Sequence, residues 1–328
     1  DFNYYTRDDK DQIISVTSAP QSGYSTRKMN AGLIRNRGVE LSLGGMPVST
    51  KNWKWEMNFN IAKNSNKLVE LADGVDSYSI YWTSFTTRLY NYAMVGKSLG
   101  VITGNTWERD DNGNIIFHEL SASQKALYGG EYVPTYNQNT LDELGNFHPD
   151  FTGGFNTSIS FKNFRLSANI DFSVGGQIVS YTNMWGSSSG ILDKTAELND
   201  RGVNVREPVS KGGGIHMTGV DQNGNKVDTY VNAKLYYTTA SRVWEEWVYD
   251  RTYVKLREVS LSYVFPSQTL KKLNIGLSRA SVAINASNPW LIYSACPNVD
   301  VSEIGMGYFE GGNAAATRSI GFTVNLAF

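Results

Sequence analysis

Few side chains in this sequence have the types and spacing that would support catalysis or metal binding. The three histidines, His118, His148 and His216, are far apart, and no two of them have metal-ligand spacing. Serine, histidine and aspartate are all available for a hydrolase triad, but no GxSxG elbow accompanies them. We therefore expect ordinary polar roles for the histidines, no catalytic residues, no enzyme activity and no bound metal or cofactor.

Residues 110–113 (DDNG) have the composition that begins a calcium-binding loop. The 1,3,5 ligand spacing and the acidic residue at position twelve are not cleanly present, so a turn is the better interpretation here and at Asn223–Gly224. Cys296 is the single cysteine and can form neither an internal disulfide nor a multi-cysteine metal site.

The bulk composition excludes two further classes. The net charge of −1 and the scattered Lys and Arg residues argue against a nucleic-acid partner. No window approaches 18 consecutive apolar residues, and the mean hydropathy is −0.34. These values exclude transmembrane helices, but they do not exclude a barrel, because its alternating strands average to near-neutral hydropathy.

Alternating apolar and polar residues indicate strands in many parts of the chain. In the last stretch, RSIGFTVNLAF, every second residue from Ile320 to Phe328 is apolar. About ten strands are predicted, at residues 2–16, 33–44, 53–61, 94–108, 113–119, 151–161, 164–172, 259–265, 282–287 and 318–328.

The predicted connections fall into two length classes that alternate along the chain. The short ones lie near residues 45–52, 110–114, 162–163 and 266–272. The long ones lie near residues 18–30, 68–93, 120–150, 175–250 and 293–314. This segregation is typical of outer-membrane barrels, which have short periplasmic turns and long external loops. The fold class is therefore all-β, and we expect a transmembrane antiparallel β-barrel wall.

The face opposite the apolar one is mostly Ser, Asn, Thr and Gly. A closed barrel of ten strands has a backbone radius of only about 10 Å, which side chains must fill. Small hydrated residues suit a wider barrel, so the ten strands are expected to form only part of the wall.

Seven blocks of the sequence, in order, resemble the SusC/RagA family of TonB-dependent outer-membrane transporters of Bacteroidetes. They are NAGLIRNRGVELSLGG (30–45), WKWEMNFNIAKNSNKLVEL (53–71), VGKSLG (95–100), FHPDFTGGFNTSISFKNFRLSANIDFSVGGQI (147–178), RTYVKLREVSLSYVFP (251–266), VAINASNPWLIY (282–293) and TRSIGFTVNLAF (317–328).

The resemblance implies a 22-stranded barrel with an N-terminal plug, energised by the TonB complex and capped by a SusD-like lipoprotein. Its usual cargo is oligosaccharide, less often peptide. The blocks match the C-terminal part of such proteins. Residues 1–328 are therefore expected to form the C-terminal portion of one barrel domain, with the plug, the TonB contact and the N-terminal strands outside this chain, as a fragment or on a second chain.

Aromatic residues on the predicted external loops are candidates for stacking on sugar rings or docking a partner protein. They are Tyr81, Trp82, Trp185, Trp244 and Trp247. The alternative is that such long loops need small cores of their own. Trp53 and Trp55 begin a predicted strand near a short turn, and with the terminal Phe328 they are expected to form an aromatic girdle at the lipid bilayer.

The leading functional hypothesis is TonB-dependent nutrient import across the bacterial outer membrane. One alternative is a stand-alone outer-membrane barrel that acts as an adhesin or structural protein. Another is a soluble secreted carbohydrate-binding β-protein.

Overall fold

A computed structural model describes residues 1–11, 13–17, 26–30, 32–83, 87–138, 141–273, 276–304, 308–312, 314 and 316–328. Within these ranges the chain forms twenty-one strands and four α-helices. Residues 1–70 contain β1 (Phe2–Lys10), β2 (Ile13–Thr17), β3 (Thr26–Asn30), β4 (Leu33–Ser49) and β5 (Trp53–Glu70).

Residues 71–150 contain β6 (Ser77–Thr83), β7 (Leu89–Met94), β8 (Val101–Gly104), β9 (Ile116–Glu119), α1 (Ala122–Tyr128), β10 (Tyr132–Pro134) and β11 (Asp142–Asn146). Residues 151–250 contain β12 (Phe151–Phe161), β13 (Phe164–Val174), β14 (Gln177–Ser180), α2 (Tyr181–Ser188), β15 (Ile215–Asp221), β16 (Lys226–Val231), α3 (Ala233–Ala240) and β17 (Val248–Asp250). The remainder contains β18 (Tyr253–Val264), α4 (Ser267–Leu273), β19 (Arg279–Ser294), β20 (Phe309–Glu310) and β21 (Ser319–Ala327).

Eight long strands form one antiparallel sheet, which we call the wall, in the order β1-β4-β5-β12-β13-β18-β19-β21. Each strand pairs with the next wall strand along the chain, so the sheet is an up-and-down meander. The register between β13 and β18 shifts between Asn169 and Ile170. Arg257 is the extra residue at this bulge, and such a bulge re-aims the side chains around it.

The two faces of the wall differ in polarity, as the alternation predicts. On β19 and β21, for example, Ile284 lies opposite Phe322 on one face, while Asn285 donates from its Nδ2 to the Thr323 hydroxyl, at 3.0 Å, on the other. The apolar face is exposed along most of its length. A sheet with an exposed apolar face and a polar opposite face is the cross-section of a membrane barrel wall.

The connections of the wall alternate in length. Residues 50–52 and 162–163 are tight turns, and a longer link with α4 joins β18 to β19 at the same end. At the other end, residues 71–150, 175–252 and 295–318 form long connections. The predicted alternation therefore holds for the wall.

The predicted count of about ten wall strands is not confirmed, since the wall has eight strands in the described residues. The two extra predictions, 94–108 and 113–119, contain β8 and β9, which belong to two other sheets. All four residues of β8 are buried, so the strand packs on both faces and does not alternate as a lipid-facing strand would. The turn at 110–114 lies near β9 and does not connect wall strands.

The described residues of 71–150, 175–252 and 295–317 form what we call the loop lobe. Small sheets build it: β10-β9-β15-β16, β11-β8-β7-β6 and β17-β14-β20. A large apolar core fills it, drawing on residues from all three connections, among them Ile102, Trp107, Met184, Trp244 and Tyr308.

Among the described residues, none of the helices is both long enough and apolar enough to cross a membrane.

Candidate functional site

The inner face of the wall carries a polar groove of about 390 Å³. Its lining includes Glu56 on β5, Arg165 and Asn169 on β13, and Glu258 on β18. Arg165 donates from Nε to the Ser158 hydroxyl at 2.7 Å, and its Nη2 lies 3.4 Å from the Glu56 carboxylate. Because successive side chains of a strand alternate between faces, these polar groups all project to the same side. The groove can therefore hydrogen-bond a polar ligand or a polar neighbouring segment.

A buried charge cluster lies at the end of the inner face nearest the loop lobe. The side chain of Lys255, on β18, is 2% exposed, and its Nζ lies 2.7 Å from Asp300 Oδ2 and 2.6 Å from Glu303 Oε1. Arg257 contacts the same Glu303 and donates from Nε to Asp171 Oδ1 at 2.8 Å. The cluster ties residues 295–304, which we call the anchor segment, to the inner face of the wall.

The hydrogen bond from Lys255 lowers the pKa of the Glu303 carboxyl below its ordinary value of 4.5. Glu303 is therefore ionised at neutral pH, and the anchor contact is an ion pair. Sequence reasoning missed this cluster. The available signal was the run of charged residues from Lys255 to Glu258 in a strand that is otherwise apolar and Ser-rich, but nothing local identifies partners some 45 residues away.

Two of the five predicted contact aromatics are core residues. Trp244 and Trp247 are fully buried in the loop lobe, and Trp247 donates its indole N–H to the Ala240 carbonyl at 2.7 Å. The prediction that they contact cargo or a partner is therefore corrected. Trp244 and Trp247 instead form a core within the long connections, because loops of this length must bury apolar surface of their own to stay folded.

Tyr81 and Trp185 are exposed, at 52% and 42%. The Tyr81 ring packs near Tyr308 and Phe309, with ring centres 5.9 and 5.7 Å away. Both residues remain candidates for contact. The side chain of Trp82 lies outside the described residues.

The predicted girdle residues all lie at the short-turn end of the wall. Trp53 is exposed and packs on Phe161 with ring centres 4.3 Å apart, and Trp55 donates its indole N–H to the Thr157 hydroxyl at 3.0 Å. Phe328 follows β21 and is exposed. Further aromatics at this end were missed by the sequence analysis: Phe164, Tyr263 and Phe265, which pack in series at 4.7 and 5.1 Å. The girdle role stays a prediction.

The histidines occupy separate environments. His216 lies 2.8 Å from both Asp200 and Asp228, and His148 packs on Phe147 with ring centres 4.3 Å apart. In the described part of the chain, no group of three or more His, Cys, Asp or Glu side chains could hold a metal ion.

The DDNG segment is a turn held by its own aspartate. Asp110 Oδ1 accepts hydrogen bonds from the backbone N–H groups of Asn112 and Asn114 at 2.9 and 2.8 Å. Asp221 does the same for Asn223 and Asn225 at 2.8 Å.

No protein-family model matches the chain. Curated proteins do match it. TonB-dependent receptor P3 of Formosa agariphila is 27% identical over 91% of this chain and 28% of its own length. TonB-dependent receptor SusC of Bacteroides thetaiotaomicron is 31% identical over 53% of this chain and 17% of its own length. The chain is a homologue of TonB-dependent receptors.

Solved structures of RagAB, described as a peptide importer, share the fold of this TonB-dependent receptor homologue. The closed-closed state matches all of this chain and 33% of its own, with a TM-score of 0.67 and 18% identity. The open-open state gives a TM-score of 0.69 at 17% identity over 32% of its own chain. The resemblance to the SusC/RagA family and the barrel-wall fold class are both confirmed.

The chain spans 28%, 32% and 29% of the length of three curated TonB-dependent receptors that it matches. These relatives are TonB-dependent receptors, in agreement with the prediction that the chain is not an enzyme.

Proposed function

We propose that residues 1–328 form part of the barrel domain of a TonB-dependent nutrient importer in the outer membrane. The observation that carries the proposal is the wall itself, a meander of eight antiparallel strands with an exposed apolar face outside and a polar face inside. This arrangement supports a lipid-facing exterior and an aqueous lumen. The homology to TonB-dependent receptors supplies the transport role.

The wall is open in the described residues, since β1 and β21 each pair with one wall strand only. A barrel must close to satisfy its edge hydrogen bonds in a membrane. We infer that further strands complete the barrel and that a plug and a TonB contact lie outside these residues. The 328 residues then constitute the C-terminal portion of one barrel domain.

The partner and cargo follow from the family resemblance. A SusD-like surface lipoprotein is the proposed partner, docking on the loop lobe. Oligosaccharide is the proposed cargo, with peptide as the second choice because RagAB is described as a peptide importer. The polar inner groove with Glu56 and Arg165 suits passage of either.

Uptake by intact cells tests the proposal. The complete gene is deleted from a Bacteroidetes host, and uptake of labelled oligosaccharides and peptides is measured with and without complementation by the complete gene. We expect the deletion strain to lose uptake of one substrate and complementation to restore it. A strain that lacks TonB should also fail to take up that substrate. Unchanged uptake of every glycan and peptide, with altered surface attachment, would favour the adhesin alternative.

A further inference from the structure

A second groove, of about 470 Å³, lies on the loop lobe and shares no lining residue with the groove of the wall. It is formed by the ends of α1 and α2, the start of α3, and the segment that includes Thr195 and Arg206. This volume suits a ligand the size of about two or three sugar units.

A buried hydroxyl group without a partner forms part of this groove. Ser187 is 1% exposed, and its Oγ has no hydrogen-bond partner in the described part of the chain. Buried polar atoms in folded proteins are nearly always hydrogen-bonded, and an exception calls for an explanation. An oxygen of a bound ligand would supply the missing partner.

The charge of the groove has one sign. Arg206 and Lys234 line it, and no Asp or Glu is among its lining residues. Arg206 is fixed in place, because its Nε donates to the Thr195 carbonyl at 2.8 Å and its Nη2 donates to the Thr195 hydroxyl at 2.6 Å and to the Gly190 carbonyl. Within the described ranges, neither Arg206 Nη1 nor Lys234 Nζ has a hydrogen-bond or ion-pair partner.

Three charged groups lie near the groove without lining it. Lys194 lies beside it, with its Nζ 5.9 Å from the centre of the Tyr237 ring. Glu197 and Glu246 act on Tyr237 through charge but do not line the groove. Glu246 is already engaged, since it accepts a hydrogen bond from the Trp107 indole at 2.6 Å.

We propose that this groove binds an anionic saccharide, with Arg206 Nη1 and Lys234 holding a carboxylate or sulfate group and Ser187 bonding a ligand oxygen. A rigid guanidinium with an open N–H is preorganised for an oxyanion. The neutral hydroxyl and amide groups of Ser188, Ser189 and Asn232 suit sugar hydroxyls. The inference goes beyond transport, because it concerns a site outside the inner face of the wall, whether or not its ligand is cargo.

Direct binding to the purified, complete receptor in detergent tests the proposal. The probes are trigalacturonate, which carries carboxylates, a sulfated carrageenan disaccharide, and maltotriose as a neutral saccharide. We expect calorimetric binding of at least one anionic probe, roughly tenfold tighter than that of maltotriose, weakening as salt is raised. The anionic probe that binds distinguishes carboxylate from sulfate. Equal binding of maltotriose would overturn the proposal.

Two variants locate the site, and a third is the matched control. Lys234→Gln and Ser187→Ala are each expected to weaken binding of the anionic probe about fivefold to tenfold. Ser187→Ala removes a hydroxyl that has no partner, so the melting temperature should not fall. Lys226→Gln, on β16 of the same lobe, removes an exposed charge away from the groove and should leave affinity unchanged.

Wild-type affinity in Lys234→Gln and Ser187→Ala would overturn the proposal, as would an equal loss in Lys226→Gln. Because binding is measured on purified protein, its failure is separable from a failure of uptake in cells.

Discussion

At the scale of single residues, the tryptophans of the long connections have two different roles. Trp244 is fully buried in the core of the loop lobe, whereas Trp185, on α2, is 42% exposed. Both were candidates for ligand contact from their place in long connections. Burial decides between the two roles, since Trp244 is packed inside the apolar core of the loop lobe, whereas Trp185 can be reached from solvent.

We expect Trp244→Ala to destabilise the loop lobe by about 3–5 kcal/mol, because it opens a large cavity in a packed core. Trp244→Phe keeps most of the ring and removes an indole N–H that has no partner in the described residues, so it should cost less than about 1.5 kcal/mol. Trp185→Ala should cost less than Trp244→Ala, because the Trp185 side chain is partly exposed. Limited proteolysis of the complete receptor on intact cells measures lobe integrity. Equal protease resistance of Trp244→Ala and wild type would contradict the assignment.

At the scale of elements, each wall strand has an apolar face on one side of the sheet and a polar face on the other. Ile284 on β19 is exposed on the apolar face, and its neighbour Ala283 points to the opposite face beside Ser262 and Thr323. If the apolar face contacts lipid, a charge should be costly on that face and tolerated on the other.

Ile284→Lys is therefore expected to destabilise the barrel by up to about 2–4 kcal/mol, because an ammonium group is poorly solvated in hydrocarbon. Ala283→Lys adds the same group one residue away, on the polar face, and serves as the matched control. The folded fraction of each complete receptor is measured by its heat-modifiable gel mobility in detergent. A larger loss in Ala283→Lys than in Ile284→Lys would reverse the assignment of the two faces.

At the scale of the whole molecule, the loop lobe and the wall are joined by the anchor segment. Lys255 contributes the central cation on the wall, and Asp300 and Glu303 contribute the carboxylates on the loop. Removing Lys255 takes the cation away from Asp300 and leaves Glu303 with its contact to Arg257, and the loss of one member of a buried ion pair is costly.

We expect Lys255→Met to weaken the anchor by about 3 kcal/mol, the lower end of the range for buried pairs, since the carboxylates are partly exposed. Hydrogen exchange of residues 296–304 in the complete receptor should rise sharply. Lys51→Met, in an exposed turn, is the control and should leave exchange unchanged. The same exchange in Lys255→Met as in wild type would show that the cluster does not hold the segment.

The anchor should also respond to acid. Because the folded-state pKa of Glu303 is lower than its ordinary value of 4.5, its contribution is fully present above that value and is lost as the pH falls through the lower, folded-state value. Exchange of the anchor segment, expressed relative to the intrinsic exchange rate at each pH, should be constant down to about pH 5 and rise below it. The acid-induced rise should be smaller in Lys255→Met, where the stabilising partner is gone.

The sequence predicts the features that depend on residues close together in the chain. Strand alternation fixed the wall segments between Trp53 and Phe328, their two faces and the alternation of connection lengths, because side-chain direction along a strand has a period of two. The polar lining around Arg165 followed from the same rule. The over-count of strands arose at 94–108 and 113–119, where β8 and β9 have apolar content but pack inside the loop lobe.

The sequence by itself determined that the chain is an all-β barrel wall and that it resembles TonB-dependent receptors, since the strand period, the composition and the ordered blocks can each be read from short stretches of sequence. Only the tertiary structure decided that Trp244 is core and Trp185 is surface, that Lys255 meets the anchor segment, and that Ser187, Arg206 and Lys234 line one groove. Those outcomes depend on contacts between connections far apart in the chain. Burial and charge pairing arise when such segments pack, and no spacing rule encodes them.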